Sequence, residues 1–308
     1  MKYTIVPLAV LIVLCACSTK KQPDIVQSGD AIIIAETPSD PNPVFYVSDS
    51  GSDDNDGKKV NTPFRTLKKA LSQLKTGSTK TIFISGTLTA ATEGSSGSPA
   101  VFTIKDSGDV EIVISGVPGA GPTVLSGTGT DSRILSISGT SRIRIQNIEI
   151  SGGHSDESGG AIILTGGASL HVGNNAQIIN NTAAVDGGAI FVGKGSKLSI
   201  AGGVISNNKS ESMLGGGGGI FLEEGSTATM NAGTISSNTV TGILGRGGGI
   251  FIDRNASFNI TGGAITGNRS EDSGGGVYVV DSGLFNFDQF VTGNSAPTSP
   301  NIYREVWQ

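Results

Sequence analysis

Between Gly159 and Asn294 the chain repeats one pattern of apolar and polar positions. Copies open at Gly159, Gly187, Gly217, Gly247 and Gly274, so the spacings are 28, 30, 30 and 27 residues. Eleven and thirteen residues into the copies lie Leu170 and Val172, Leu198 and Ile200, Ala228 and Met230, Phe258 and Ile260, Phe285 and Phe287. Between the members of these pairs stand His171, Ser199, Thr229, Asn259 and Asn286. Alternation at period two predicts a strand with one buried face. No single copy can bury such a face alone, whereas a stack of copies about 4.8 Å apart can. The pattern therefore predicts an all-β solenoid, a parallel β-helix with three short strands per coil, regular from about residue 159 within a body spanning 81–308.

The same registry sets asparagines at the close of each third strand. Asn208, Asn238 and Asn268 align without gaps, and Asn181 and Asn294 join after one-residue shifts. Amides stacked in this way can bond from coil to coil. Ile163, Phe191, Phe221, Phe251 and Tyr278 form another column. Two orientations fit it. Polar residues two places later argue for an outward aromatic strip able to stack on sugar rings, while a strand apolar throughout also allows the rings to point inward.

Ahead of the repeats, VFYV suits a strand and SDDNDG a turn, within a capping segment 44–80. Thr62 offers an N-cap with Pro63 in the first helical position. Leu67, Ala70, Leu71 and Leu74 then share one face of a short helix, with Lys68, Lys69 and Lys75 toward water. Such a helix can cover the end of a solenoid and protect its open edge.

Composition narrows the function. Of 308 residues 47 are glycine, roughly twice average usage. A net charge of −5 without clustered Lys and Arg excludes a nucleic-acid surface. The N-terminus MKYTIVPLAVLIVLCACSTKK has an apolar run too short to span a bilayer and reads as an export signal over residues 1–16. Its tetrad Leu14-Cys15-Ala16-Cys17 resembles the bacterial lipoprotein lipobox. The resemblance implies cleavage before Cys17 and lipid on that residue, which makes a membrane the first expected partner. Ser18, by resemblance to Gram-negative lipoprotein sorting, implies the outer membrane. Residues 17–43 then read as the lipidated cysteine and a flexible tether. Cys15 and Cys17 are the chain's only cysteines, so no disulfide framework or thiolate metal site is expected.

The segments GGAIIL, GGAIFV, GGGIFL, GGGIFI and GGGVYV, each followed by IINN, ISNN, ISSN, ITGN or VTGN, resemble the polymorphic outer membrane protein repeat of the GGAI/FxxN type. Ile or Val stands where that motif has Phe. The opening YVSDSGSDDNDG and NTPFRTLKKAL resembles many secreted pectate-lyase-like β-helix proteins. Together the resemblances imply a right-handed parallel β-helix, surface-exposed or periplasm-facing, that acts either in adhesion and binding or as a structural part of the envelope. A glycan, a host protein or an envelope protein is the expected ligand.

Chemistry is sparse. Placing Gly57 sixth in a calcium loop leaves Ser52 first and Pro63 twelfth, so SDDNDG reads as an acidic turn. Glu223 and Asp253 occupy equivalent positions on successive coils, at the spacing of a retaining glycosidase pair. Thr165, Gly193 and Val280 fill that column elsewhere. The adjacent column, Lys194, Glu224, Arg254 and Asp281, alternates in sign and reads as registry control. We therefore expect no cofactor and no metal, and a non-catalytic protein. The alternative is a polysaccharide lyase or glycoside hydrolase using Glu223 and Asp253. The variable loops Lys209–Gly216, Thr239–Arg246 and Arg269–Ser273 are the expected contact sites.

Overall fold

A computed structural model describes residues 26–28, 31–33, 44–74, 80–107, 111–286 and 288–305. Two units are distinguished, Met1–Pro41 and Asn42–Gln308. In the first, Val26–Ser28 pairs antiparallel with Ala31–Ile33, within the segment expected to be a tether. Cys17 and Phe287 lie outside the described residues.

The second unit is a parallel β-solenoid. One coil serves for all: Ile190–Val192 belongs to an eight-stranded sheet, Lys197–Ser206 to a fourteen-stranded sheet, and Lys209–Ser210 to a four-stranded sheet. The next coil pairs in register, with Phe191 opposite Phe221, Leu198 opposite Ala228 and Lys209 opposite Thr239. The long strand bends at Gly202-Gly203 and so serves two sides of the coil. The structure thus adds to the three expected strands a two-residue ladder at the base of the variable loops. Each coil opens on a glycine pair for two different reasons. Gly187 adopts φ +69°, the left-handed region that glycine enters without a Cβ penalty. A Cβ on Gly188 would lie 2.2 Å from the carbonyl oxygen of Gly218, so the coils approach too closely for any side chain.

The inward positions are those of the alternating pairs. Leu170, Val172, Leu198, Ile200, Ala228, Met230, Phe258 and Ile260 are buried, and Phe285 packs half-buried at the C-terminal end. Ile190, Val192, Ile220 and Leu222 join them from the eight-stranded sheet, forming one continuous core.

At the N-terminal end Val44–Ser48 pairs in parallel with Lys80–Thr89, and a helix spans Leu67–Ser72. Its cap corrects the expected one. Thr66, with extended backbone, accepts from the Lys69 amide at 3.0 Å, while the Thr62 hydroxyl donates to Asp56 at 2.7 Å. Two distant carboxylates decide the start. Asp53 accepts from the amides of Arg65 and Thr66, both at 2.9 Å, and Glu93 accepts from those of Leu67 and Lys68 at 2.8 and 3.0 Å. Leu67 and Ala70 are buried, and Leu71 and Leu74 pack against the core. A second short helix, Ala90–Glu93, opens with a Thr89–Thr92 capping box that the strand pattern did not disclose. Among the described residues no helix is long and apolar enough to cross a membrane.

Candidate functional site

The outer side of the eight-stranded sheet gathers the four expected aromatic site residues. Phe191, Phe221, Phe251 and Tyr278 alternate with inward residues such as Ile190 and Val192, so the rings point outward and form a cluster apart from the main core. They are stacked nearly parallel. Ring centroids lie 5.4, 4.8 and 5.1 Å apart, and Tyr303 extends the column 5.0 Å beyond Tyr278. Phe221, Phe251 and Tyr278 are buried, and Phe191 is half-buried above Ile163. Each ring face is therefore filled by the next ring, and a sugar would meet edges rather than faces.

One flank of this column is held by charges. The Arg246 guanidinium lies 5.1 Å from the Tyr278 ring centre, within cation–π range, and its Nε donates to Asp272 at 3.0 Å. Burial pushes the Tyr278 hydroxyl up to about 12, with Arg246 acting in the opposite direction. Asp186 stands two coils below Arg246 in the column immediately preceding the glycine pairs: Ser158, Asp186, Gly216, Arg246, Ser273. Burial raises its pKa above the ordinary aspartate value, against hydrogen bonding from Ser212 and Gly216, and Oδ1 has no hydrogen-bond partner. Reading each copy from one residue earlier would have found this column.

Glu223 and Asp253 follow directly on paired strands, so the register brings them to adjacent coils. Both bond to backbone at a corner. Glu223 Oε2 accepts from the Lys194 amide at 2.7 Å, and Asp253 Oδ1 from the Arg254 amide at 2.7 Å. Lys194 and Glu224 approach to 3.7 Å with both side chains exposed, a contact that contributes little by itself. Among the described residues no group of three His, Cys, Asp or Glu side chains converges as metal ligands would.

The asparagines form a continuous buried chain. Asn181, Asn208, Asn238 and Asn268 each donate from Nδ2 to Oδ1 of the next asparagine at 2.9 Å, ending on Asn294. Each Oδ1 also accepts the backbone amide of the asparagine below, at 2.9–3.1 Å. Asn294 passes the ladder to Asn301 at 3.2 Å, a rung outside the repeat and absent from the expected set. Its signal is modest: an asparagine directly before the strand Ile302–Arg304.

The loops are laddered too. Leu244 donates to Met213 at 3.1 Å, Arg246 to Gly215 at 2.8 Å and Asp272 to Gly245 at 3.0 Å, all through backbone. In two of these loops the tips are apolar and exposed, Met213 and Leu214 in one and Ile243 and Leu244 in the next.

No family model matches the chain, and no curated protein matches it. Among solved structures it is similar to one described as the crystal structure of pectate lyase Pel9A, with a TM-score of 0.46 and 14% identity over 86% of this chain and 78% of that one. At that identity and score the likeness speaks to neither substrate nor mechanism. The fold rests on the strand pairing above.

Proposed function

We propose that the chain is a lipid-anchored scaffold of the bacterial cell envelope, at the outer membrane, that acts by binding a protein partner and not by catalysis. One observation carries this reading. Seven large apolar side chains are exposed among the described residues, and five of them, Val185, Met213, Leu214, Ile243 and Leu244, stand on three successive loops. Ile243 is 78% and Leu214 72% exposed. Aliphatic tips clustered on a hydrogen-bonded loop wall suit an apolar protein surface, and their order before binding lowers its entropic cost. The resemblance to polymorphic outer membrane protein repeats supports surface exposure, and Cys17 supplies the anchor. The backbone bonds of Glu223 and Asp253 favour a structural role for both carboxylates over the lyase or hydrolase alternative.

Replacing Met213, Leu214, Ile243 and Leu244 together by serine tests the binding surface. Adhesion to host cells or recruitment of envelope proteins should fall at least tenfold, while the unfolding midpoint stays put. Labelling with a radioactive fatty acid should mark the wild type and not Cys17→Ser. Release of sugar from neutral or acidic polysaccharides, lost in Glu223→Gln or Asp253→Asn, would overturn the non-catalytic reading.

A further inference from the structure

A different part of the solenoid carries a cleft that the loop wall does not explain. Glu111–Gly116 is joined to Thr123–Ser126 by six residues, Val117-Pro118-Gly119-Ala120-Gly121-Pro122. The next coil turns the same corner in two, Asn147 and Ile148, between Arg142–Gln146 and Glu149–Ser151. The longer connection therefore overhangs a shorter one. Beneath it lies a cleft of about 390 Å³, walled on the other side by Asn147, Glu149, Asn175 and Gln177.

The walls are fixed. Val117 donates to the Ile84 carbonyl at 3.0 Å, Ala120 to that of Val117 at 3.1 Å, and the Thr123 hydroxyl to Ile84 at 3.0 Å. Pro118 and Pro122 each lock one backbone angle. Opposite, Asn175 donates its amide to Asn147 Oδ1 at 3.1 Å, and the Ser151 hydroxyl donates to Glu149 Oε1 at 2.6 Å. These bonds orient the groups and leave others unused. Among the described residues the Gln177 amide, Asn175 Oδ1 and Glu149 Oε2 have no partner. Glu149 and Gln177 are direct partners on neighbouring strands, so a carboxylate and an amide stand side by side.

Planar amides beside a carboxylate offer donors and acceptors in pairs, which matches adjacent hydroxyls on a sugar ring. Pro118, Pro122 and Ala120 supply an apolar wall for its C–H face. No Lys or Arg lines the cleft, and Glu149 would repel an acidic sugar. We infer that the cleft between Val117–Pro122 and the Asn147–Gln177 corner is a binding site for a neutral oligosaccharide.

Calorimetric titration of the full chain with cellohexaose, maltohexaose, mannohexaose and chitohexaose tests this, with hexagalacturonate as the charged comparison. At least one neutral hexaose should bind one to one, and hexagalacturonate at least tenfold more weakly. Gln177→Ala and Glu149→Ala should each weaken the neutral sugar about tenfold or more, with the unfolding midpoint unchanged. The fourfold serine variant of the loop tips should bind that sugar as the wild type does, so this site and the proposed protein surface stand or fall separately. No heat with any neutral sugar, affinity indifferent to both cleft variants, or preference for hexagalacturonate would each overturn the assignment.

Discussion

Asn238 shows how much one side chain holds. Its Oδ1 accepts the Asn208 amide and side chain at 3.0 and 2.9 Å, and its Nδ2 donates to Asn268 Oδ1 and Ile205 O at 2.9 and 3.0 Å. Asn238→Ala leaves buried donors and acceptors on two coils unmatched, a loss of about 4 kcal/mol at roughly 1–3 per orphaned group. Asn238→Asp keeps the acceptor but sets it against Asn268 Oδ1. Denaturant unfolding should find it no better than Ala, and tolerance of Asp would contradict the ladder. The rungs were legible because each Asn repeats at the same place in its copy. Asn301 was not, since it lies beyond the last copy. Asp186 makes a prediction of its own. A carboxyl held above its ordinary pKa keeps its proton longer in the folded state, so the stability it lends is full below ~3.9 and fades as pH rises through the folded value. Asp253 strengthens this effect and Ser212 and Gly216 oppose it. Against wild type, Asp186→Asn should gain stability as pH climbs from about 4 and then level off. Urea unfolding at successive pH values checks it, and a flat difference would refute it.

The helix and the aromatic column mark where pattern stops deciding. The apolar spacing marked the buried face of the helix, yet Thr62 and Thr66 both stand ahead of Leu67 and threonine suits an N-cap at either place, so the expected start at Thr62 fell four residues early. Asp53, twelve and thirteen residues before the amides it accepts, selects Thr66, and such a contact has no local signature. Thr66→Ala should cost about 1 kcal/mol and Thr62→Ala, whose hydroxyl sits on an exposed turn, no more than about 0.5. Thermal melts of the two variants separate them. The ring column was ambiguous because Ile220, Phe221 and Leu222 are all apolar and all buried, so alternation is invisible in their composition. Only the packing shows that the outer residues bury one another. Phe221 and Phe251 stack 4.8 Å apart at 6°, and a double-mutant cycle with leucine at both should return a coupling of about 0.5–1.5 kcal/mol. Zero coupling would mean that the rings are buried side by side without interacting.

For the whole molecule the period mattered more than any single residue, because each coil touches only its neighbours. Stability in such an array is close to a sum of coil and interface contributions, and ends open before the middle. The two ends differ here. The first coil is roofed by the helix Leu67–Ser72, whose Leu67 and Ala70 are buried, and Asp53 and Glu93 fasten that helix through its amides. At the other end Phe285, Phe290 and Ile302 are only partly buried, and Leu284 is 66% exposed. Arg304 bonds there to Asp288 at 2.7 Å, a solvent-exposed pair that adds little. Opening should therefore begin among Val277–Arg304 and travel toward the helix. In hydrogen exchange read by mass spectrometry, Ile302–Arg304 and Val277–Val279 should exchange first. Ile250–Ile252 and Ile220–Leu222 should follow in that order, and strands next to the helix last. Breaking the ladder with Asn268→Ala should move this boundary inward by a coil, speeding exchange at Ile250–Ile252 while leaving Val44–Ser48 unchanged. Uniform acceleration along the chain would instead mean that the solenoid opens as one cooperative block, and coil-by-coil stacking would no longer describe it.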